Sequence, residues 1–143
     1  MRNRKALTLL AVFCFGFSVQ PVLAEEETEL EKTMSSMSKP FKKVRSQSSD
    51  SSSNADSAKL VTSIIASAKK AVDMTPKWTS AQPKSEQKAF VENYKKAMHK
   101  NIKMLEQLQT AFTENRNEDA VALISKIRKH QKASHNEFQD PDE

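Results

Sequence analysis

The sequence predicts an all-α protein, an antiparallel up-down-up-down four-helix bundle. Its only glycine, Gly16, lies near the N-terminus, so the rest of the chain lacks the residue that tight hairpin turns favour. Four stretches place apolar residues at steps of three and four, the spacing of one helical face. Two of the three connections between these stretches are short, and short connections favour antiparallel neighbours.

Residues 1–24 are predicted to be a secretory signal peptide. The segment begins with basic residues, continues with an apolar stretch and ends at Ala24. The apolar stretch is shorter than the roughly 20 residues that a membrane-spanning helix needs. We therefore expect cleavage after Ala24, export to the periplasm and no stable membrane insertion, with residues 25–143 forming a single four-helix-bundle domain.

Removal of this segment excludes several classes of function. The only cysteine, Cys14, lies within it, so the mature chain is expected to lack disulfides, zinc–thiolate sites, thiol catalysis and covalent haem attachment. The loss of three basic residues lowers the formal net charge from +5 to about +2. The remaining lysines are spread among glutamates along the predicted helices, so nucleic-acid binding is not expected.

The first helix is predicted over residues 26–45. Acidic residues begin it and basic residues end it, which complements the helix dipole. Pro40 is expected to bend it, because proline removes a backbone hydrogen bond in a helix interior. The inner face is predicted to carry Leu30, Met34, Met37, Phe41 and Val44.

The second helix is predicted over residues 57–73, with Asp56 as its N-cap. The serine-rich stretch 46–56 before it contains no large apolar residue, so we expect an exposed, mobile connection. Thr75 and Pro76 end the helix, and Trp78 is predicted to cover that end of the bundle. The inner face is predicted to carry Leu60, Ile64, Ala68 and either Ala71 or Val72.

The third helix is predicted over residues 85–112, with Ser85 as its N-cap. His99 falls away from the apolar face, so we expect it to be solvated. Residues on or beside the inner face are Phe90, Tyr94, Ala97, Met98, Asn101, Leu105, Leu108 and Phe112.

The fourth helix is predicted to be capped at Asn117 and to run from Ala120 to Phe138. Its apolar face is predicted to carry Ala120, Ile124, Ile127, Gln131, His135 and Phe138. On this pattern His135 points into the core, either as an ordinary core histidine or as a ligand. His130 lies about 140° around the helix from it and is predicted to be exposed.

The predicted topology brings Met34 and His135 to the same end of the bundle, each about a dozen ångströms from that end. Phe90 and Tyr94 belong to the same level, so the thioether and the imidazole are expected to face each other in an aromatic-walled pocket. A thioether and an imidazole are the axial ligands of haem iron that transfers electrons and has no open site.

Four short motifs carry a family resemblance that covers residues 27–138. They are Leu30-Glu31-x-x-Met34, Thr75-Pro76, Lys88-x-Phe90-x-x-x-Tyr94 and Ala133-x-His135. With these motifs the chain resembles the soluble cytochrome b562 family. The resemblance implies one non-covalent haem b per chain, with Met34 and His135 as axial ligands of the iron and with Phe90 and Tyr94 among the pocket walls. Gln131 and Gln139 stand where the family places basic residues near the haem.

Two hypotheses of function remain open. The first is a monomeric periplasmic electron carrier whose redox partners are unknown. The second is a haem-free bundle of the same fold that binds a partner or acts in envelope stress, with Met34 and His135 as plain core residues. An enzyme is not expected, because both axial positions would be filled and the helices carry no Ser/His/Asp set or paired inward carboxylates.

Overall fold

The computed structural model describes residues 26–141, which form four α-helices and no strand. The helices match a four-helix bundle, so the predicted all-α fold is confirmed. The predicted signal peptide lies outside the described residues. No helix within residues 26–141 is long and apolar enough to cross a membrane. The helices are α1 (Glu29–Gln47), α2 (Asn54–Ala71), α3 (Gln87–Thr113) and α4 (Asn117–Phe138), with short 3-10 segments at Ser51–Ser53 and Lys77–Ala81.

A capping box fixes the start of α1. The Thr28 hydroxyl accepts a hydrogen bond from the Glu31 N–H at 3.2 Å, and the Glu31 carboxylate accepts one from the Thr28 N–H at 2.5 Å. The bond from the Thr28 N–H lowers the pKa of Glu31, and the Thr28 hydroxyl and the Lys77 ammonium lower it further. The helix continues through Pro40 to Gln47. The bend expected at Pro40 stays a prediction.

The serine-rich stretch 46–56, predicted to be an exposed, mobile connection, is in part helical, because α1 ends at Gln47 and α2 begins at Asn54. The 3-10 segment Ser51–Ser53 lies between these two helices. The Asp50 carboxylate accepts hydrogen bonds from the Ser52 N–H and from the hydroxyls of Ser52 and Ser53, which lowers the pKa of Asp50. The serines therefore close a turn, which short polar side chains do well.

The start of α2 also differs from the prediction, because the helix begins at Asn54 and Asp56 does not cap it. The Asp56 carboxylate instead forms a salt bridge with Lys43 at 2.9 Å and accepts a hydrogen bond from Gln47. Gln47 also donates to the Ser57 hydroxyl. These contacts join the end of α1 to the first turn of α2.

An asparagine cluster joins the α1–α2 connection to the α3–α4 turn. Asn54 is only 4% exposed, and its amide donates to the side-chain oxygens of Asn115 at 2.9 Å and Asn117 at 3.0 Å. The Asn117 amide donates in return to Asn54 at 2.9 Å and to the Ser48 carbonyl at 2.8 Å. Asn115 has a φ of 56°, a left-handed conformation that asparagine tolerates. Asn117 thus links the two turns by hydrogen bonds. It was predicted to be the N-cap of α4, but Arg116 occupies that position.

The start of α3 lies two residues later than predicted. The backbone N–H groups of Glu86 and Gln87 both donate to the Pro83 carbonyl, and Ser85 makes no capping hydrogen bond. The proline-rich connection therefore ends in a turn that leads into the helix.

The core confirms most of the predicted inner faces. Leu60, Phe90 and Ala97 are half-buried, while Val61 and Ile65 are buried beside the predicted α2 positions. Consecutive helices pack most closely, α1 with α2, α2 with α3 and α3 with α4, whereas the backbones of α1 and α4 approach each other less closely. The fully buried large side chains are Val44, Val61, Leu105, Leu108, Phe112 and Ile127.

Candidate functional site

Aromatic side chains gather at the end of the bundle where sequence predicted a pocket. The Phe138 ring of α4 packs edge-on against Phe90 at 5.4 Å and against Tyr94 at 5.7 Å between ring centroids. Trp78 packs edge-on against Phe90 at 6.1 Å, so the tryptophan covers this end, as predicted. Sequence analysis placed Phe138 on the inner face but not in the pocket wall, although its spacing of three residues from His135 put it one turn away.

Tyr94 ties this end of α3 to the end of α2. Its ring is 4% exposed, and its hydroxyl donates to the Ala71 carbonyl oxygen at 2.7 Å. Burial raises the pKa of Tyr94 to about 12. The hydroxyl is therefore a fixed polar group in an otherwise apolar wall.

Replacement of Tyr94 by phenylalanine is expected to lower the free energy of unfolding by about 1 kcal/mol, because the hydroxyl bond is lost while Ala71 still accepts from Met74. An unfolded tyrosine ionises near pH 10. The raised folded pKa keeps the native phenol neutral, so Tyr94 stabilises the fold fully below pH 10 and progressively less up to about pH 12. Urea unfolding of the wild type and the Tyr94→Phe variant at pH 7, 10 and 11.5 should show the two stabilities converging. A constant difference would contradict this.

Met34 lies on the inner side of α1. Its side chain is half-buried and packs against the core together with Leu30 and Met37. Met34 is thus a thioether at the edge of the core and not a deeply buried core residue.

The prediction that His135 points into the core is wrong. His135 is exposed, and the inward positions of the last turns are taken by half-buried Gln131 and Ser134 and by buried Phe138. A helix turns about 100° per residue, so a face that steps from 131 to 134 and 138 leaves position 135 on its flank. The His135 ring makes no hydrogen bond within residues 26–141. Its assignment as an iron ligand stays a prediction.

The other α4 histidine occupies a different flank. His130 was predicted to be exposed, but it is half-buried, and its Nε2 lies 2.9 Å from the Ala97 carbonyl oxygen of α3. His130 is thus turned toward α3, and His135, about 140° further around α4, is turned away from α3. The two rings therefore differ in their availability as ligands, because within residues 26–141 only the ring of His130 has a polar partner.

His99 is exposed, as predicted. It lines a shallow groove between α2 and α3, together with charged side chains. The groove contains neither Met34 nor His135, so His99 has no part in the site at the aromatic end.

The donor set fits a haem better than a bare metal ion. Residues 26–141 contain no group of three or more His, Cys, Asp or Glu side chains placed to hold a metal ion. The Met34 thioether and the His135 imidazole make no hydrogen bond within residues 26–141, and a thioether and an imidazole are a donor pair used for haem iron. Phe90, Tyr94 and Phe138 form an apolar wall one turn beyond His135.

A family model described as Cytochrome b562 matches residues 29–139. No curated protein and no solved structure matches the chain significantly. The matched segment contains all four helices and covers well over half of the sequence. The chain therefore belongs to the cytochrome b562 family, whose members are haem-binding electron-transfer cytochromes.

Proposed function

We propose that this protein is a periplasmic electron carrier that binds one haem b non-covalently, with Met34 and His135 as axial ligands of the iron. The single observation that carries the proposal is the gathering of Phe90, Tyr94 and Phe138 one turn beyond His135, whose exposed imidazole makes no hydrogen bond within residues 26–141.

Contacts between the helices support the antiparallel up-down order on which this site depends. Tyr94, near the start of α3, bonds Ala71 at the end of α2. Gln109, later in α3, bonds Thr62, earlier in α2. These bonds support opposite directions for α2 and α3. Phe90, near the start of α3, contacts Phe138 at the end of α4, and Ala97, later in α3, bonds His130, earlier in α4. These contacts support opposite directions for α3 and α4. An α1 antiparallel to α2 then places its first turns beside the last turns of α4.

The looser approach of α1 and α4 supports a ligand between them. These are the two helices that carry Met34 and His135, and their backbones approach each other less closely than those of consecutive helices. His135 is also turned away from α3, which leaves the α1 side of α4 for its ring. The asparagine cluster at the other end holds the turns together, so separation at the aromatic end does not require the whole bundle to open.

When bound, a haem supplies a one-electron redox centre with both axial positions filled. The protein's own contribution is to orient the imidazole and the thioether, to surround the group with aromatic walls and to limit the access of water. The Tyr94 hydroxyl is already bonded to Ala71, so it adds no free polar group to the wall. No side chain is assigned acid–base or nucleophilic chemistry, which is why we propose a carrier and not an enzyme.

One observation favours the alternative, a haem-free bundle that binds a partner or acts in envelope stress. A buried histidine without a partner is costly, but His135 is exposed and therefore needs no ligand for its stability. A periplasmic location is proposed for either function, because it depends on the predicted signal peptide. The monomeric state likewise stays a prediction.

An optical spectrum of the exported protein, purified without added haem, separates the two functions. The electron carrier is expected to show a low-spin Soret band when oxidised and sharp α and β bands after reduction with dithionite. Circular dichroism of the same sample verifies that the helices are folded. A colourless, folded protein that also fails to bind added haemin would overturn the electron-transfer proposal and leave partner binding.

A further inference from the structure

The flank of α1 that faces away from α2 is basic. Lys43 and Gln47 mark the α2 side of α1, because both contact Asp56. Arg45 lies about 180° around the helix from the mean direction of these two, and Lys42 lies about 120° from it. Met34 also falls on the far side from α2. Lys42 and Arg45 therefore belong to the side of α1 that neighbours α4.

The flank of α4 that faces away from α3 is basic as well. His130 marks the α3 side through its bond to Ala97. Arg128 and Lys132 lie about 160° around the helix from His130, on either side of the direction opposite to it. His135 shares this flank, with Lys132 about 5 Å and Arg128 about 10 Å away along the helix axis. We call Lys42, Arg45, Arg128 and Lys132 together the basic flank.

The charges of the basic flank are not neutralised within the described chain. All four side chains are exposed, and none makes a salt bridge or a side-chain hydrogen bond within residues 26–141. The nearest carboxylates on this side of α1 are Glu27, which accepts from Ser35, and Glu31, which caps the helix at Thr28. Glu27 lies just before α1 and Glu31 lies in its first turn, so both carboxylates are at one end of the positive surface.

An apolar side chain accompanies these charges. Val121 is 44% exposed and is the one large hydrophobic side chain of residues 26–141 that is exposed. It lies seven residues before Arg128, two turns along the same flank of α4. A positive surface with a small apolar contact suits a weak, electrostatically steered protein complex.

We propose that the basic flank is the docking surface for an electron-transfer protein with a carboxylate-rich face. The inference rests on the proposed function, because docking here serves electron transfer only if Met34 and His135, which belong to the same two helices, hold the haem. A partner bound there would sit beside the ligands of the redox centre. Opposite charges raise the rate of such encounters by roughly ten- to a thousandfold at low ionic strength.

A second basic surface, on the outer side of α3, offers a matched control. Lys96, Lys100 and Lys103 are exposed there, but the neighbouring cations Lys69 and Lys95 are paired with Glu106 at 3.2 Å and Asp73 at 3.5 Å. This surface faces away from the core and lies on neither of the helices that carry Met34 and His135. Its charges are therefore equal in kind but face away from the side of α3 that carries Tyr94.

The first experiment measures electron transfer to small charged oxidants by stopped flow. The reduced holoprotein is mixed with anionic ferricyanide or with cationic tris(phenanthroline)cobalt(III), each of which accepts one electron from the ferrous iron. The Arg128→Glu/Lys132→Glu variant is expected to react about tenfold more slowly with ferricyanide and several-fold faster with the cobalt complex. The Lys96→Glu/Lys100→Glu control changes the net charge equally and is expected to alter either rate by less than about threefold. Both differences should diminish in 0.5 M salt.

Equal effects of the two variants would show that only the net charge matters and would overturn the proposal. A larger effect of the α3 variant would move the docking surface to α3 and overturn it as well. The optical spectra of both variants must match the wild type. A colourless wild-type protein would refute the proposed function and not the basic flank, which the second experiment tests without haem.

The second experiment follows amide chemical shifts of the folded chain, with or without haem, during titration with poly-L-glutamate. Shifts are expected to concentrate at Lys42, Arg45, Val121 and residues 128–135, and to disappear in the Arg128→Glu/Lys132→Glu variant but not in the α3 variant. Shifts centred on residues 96–103 would overturn the assignment. Binding to vesicles of anionic phospholipid through the flank, without binding to poly-L-glutamate, would replace the protein partner with a lipid surface.

Discussion

Replacement of His135 by alanine is expected to leave a folded bundle that no longer retains haem. The loss of a group that merely orients a metal ligand costs about 10- to 100-fold in metal affinity, so the loss of the ligand itself should cost at least 100-fold. The helices should be unaffected, because His135 is exposed and makes no hydrogen bond within residues 26–141. Its removal should therefore change the free energy of unfolding of the haem-free chain by less than about 0.5 kcal/mol. Haemin titration followed in the Soret region measures the affinity, and urea unfolding measures the stability.

His130→Ala is the matched control, because it removes the same side chain from the same helix. That variant is expected to keep the low-spin spectrum but to lose about 1 kcal/mol of stability, since His130 bonds the Ala97 carbonyl of α3. His99→Ala should change neither property. A His130→Ala variant that loses haem while His135→Ala retains it would show that the ligand assignment is wrong.

The helices themselves could be predicted from sequence because each has an apolar face with regular spacing. Val44, Ile64, Leu105 and Ile127 are buried where the pattern placed them. The pairing of Phe90 and Tyr94 at one end of α3 could also be predicted. Those positions depend only on the helical period and on which ends meet.

The conformations of the connections could not be predicted in the same way, because they depend on hydrogen bonds between residues distant in sequence. Asn54 lies 61 residues before Asn115 and 63 before Asn117, and no local pattern shows that the three meet. The serine-rich composition indicated a solvated chain, but Asp50 organises those serines into a turn.

The inward direction of the last turns of α4 was ambiguous for a geometric reason. Apolar steps of three and four alternate, so Gln131 can be followed on the inner face by Ser134 or by His135. The apolar pattern favoured His135 at the inner position, whereas in the structure Ser134 is turned inward and His135 lies on the flank. The rotation of the helix is fixed by the bond between His130 and Ala97 and by the contacts of Phe138 with Phe90 and Tyr94.

Replacement of Met34 by alanine is expected to change the spin state of the iron while leaving the fold intact. Without the thioether, the sixth position becomes vacant or takes water, so the oxidised protein should shift from a low-spin to a high-spin spectrum. Haem retention should weaken less than in His135→Ala, because the imidazole remains. Met34 is half-buried at the rim of the core, so its truncation should cost less than the roughly 2–5 kcal/mol of a fully buried methionine.

Met37→Ala is the matched control for that variant, because Met37 is also half-buried, lies one turn further along the same face of α1 and packs against the same core. Both truncations should destabilise the bundle by similar amounts, but only Met34→Ala should alter the spin state. Unfolding curves and oxidised spectra of the two variants test this separation of packing from ligation. A spin change in Met37→Ala alone would assign the thioether ligand to Met37. A low-spin spectrum in both variants would show that neither methionine binds the iron.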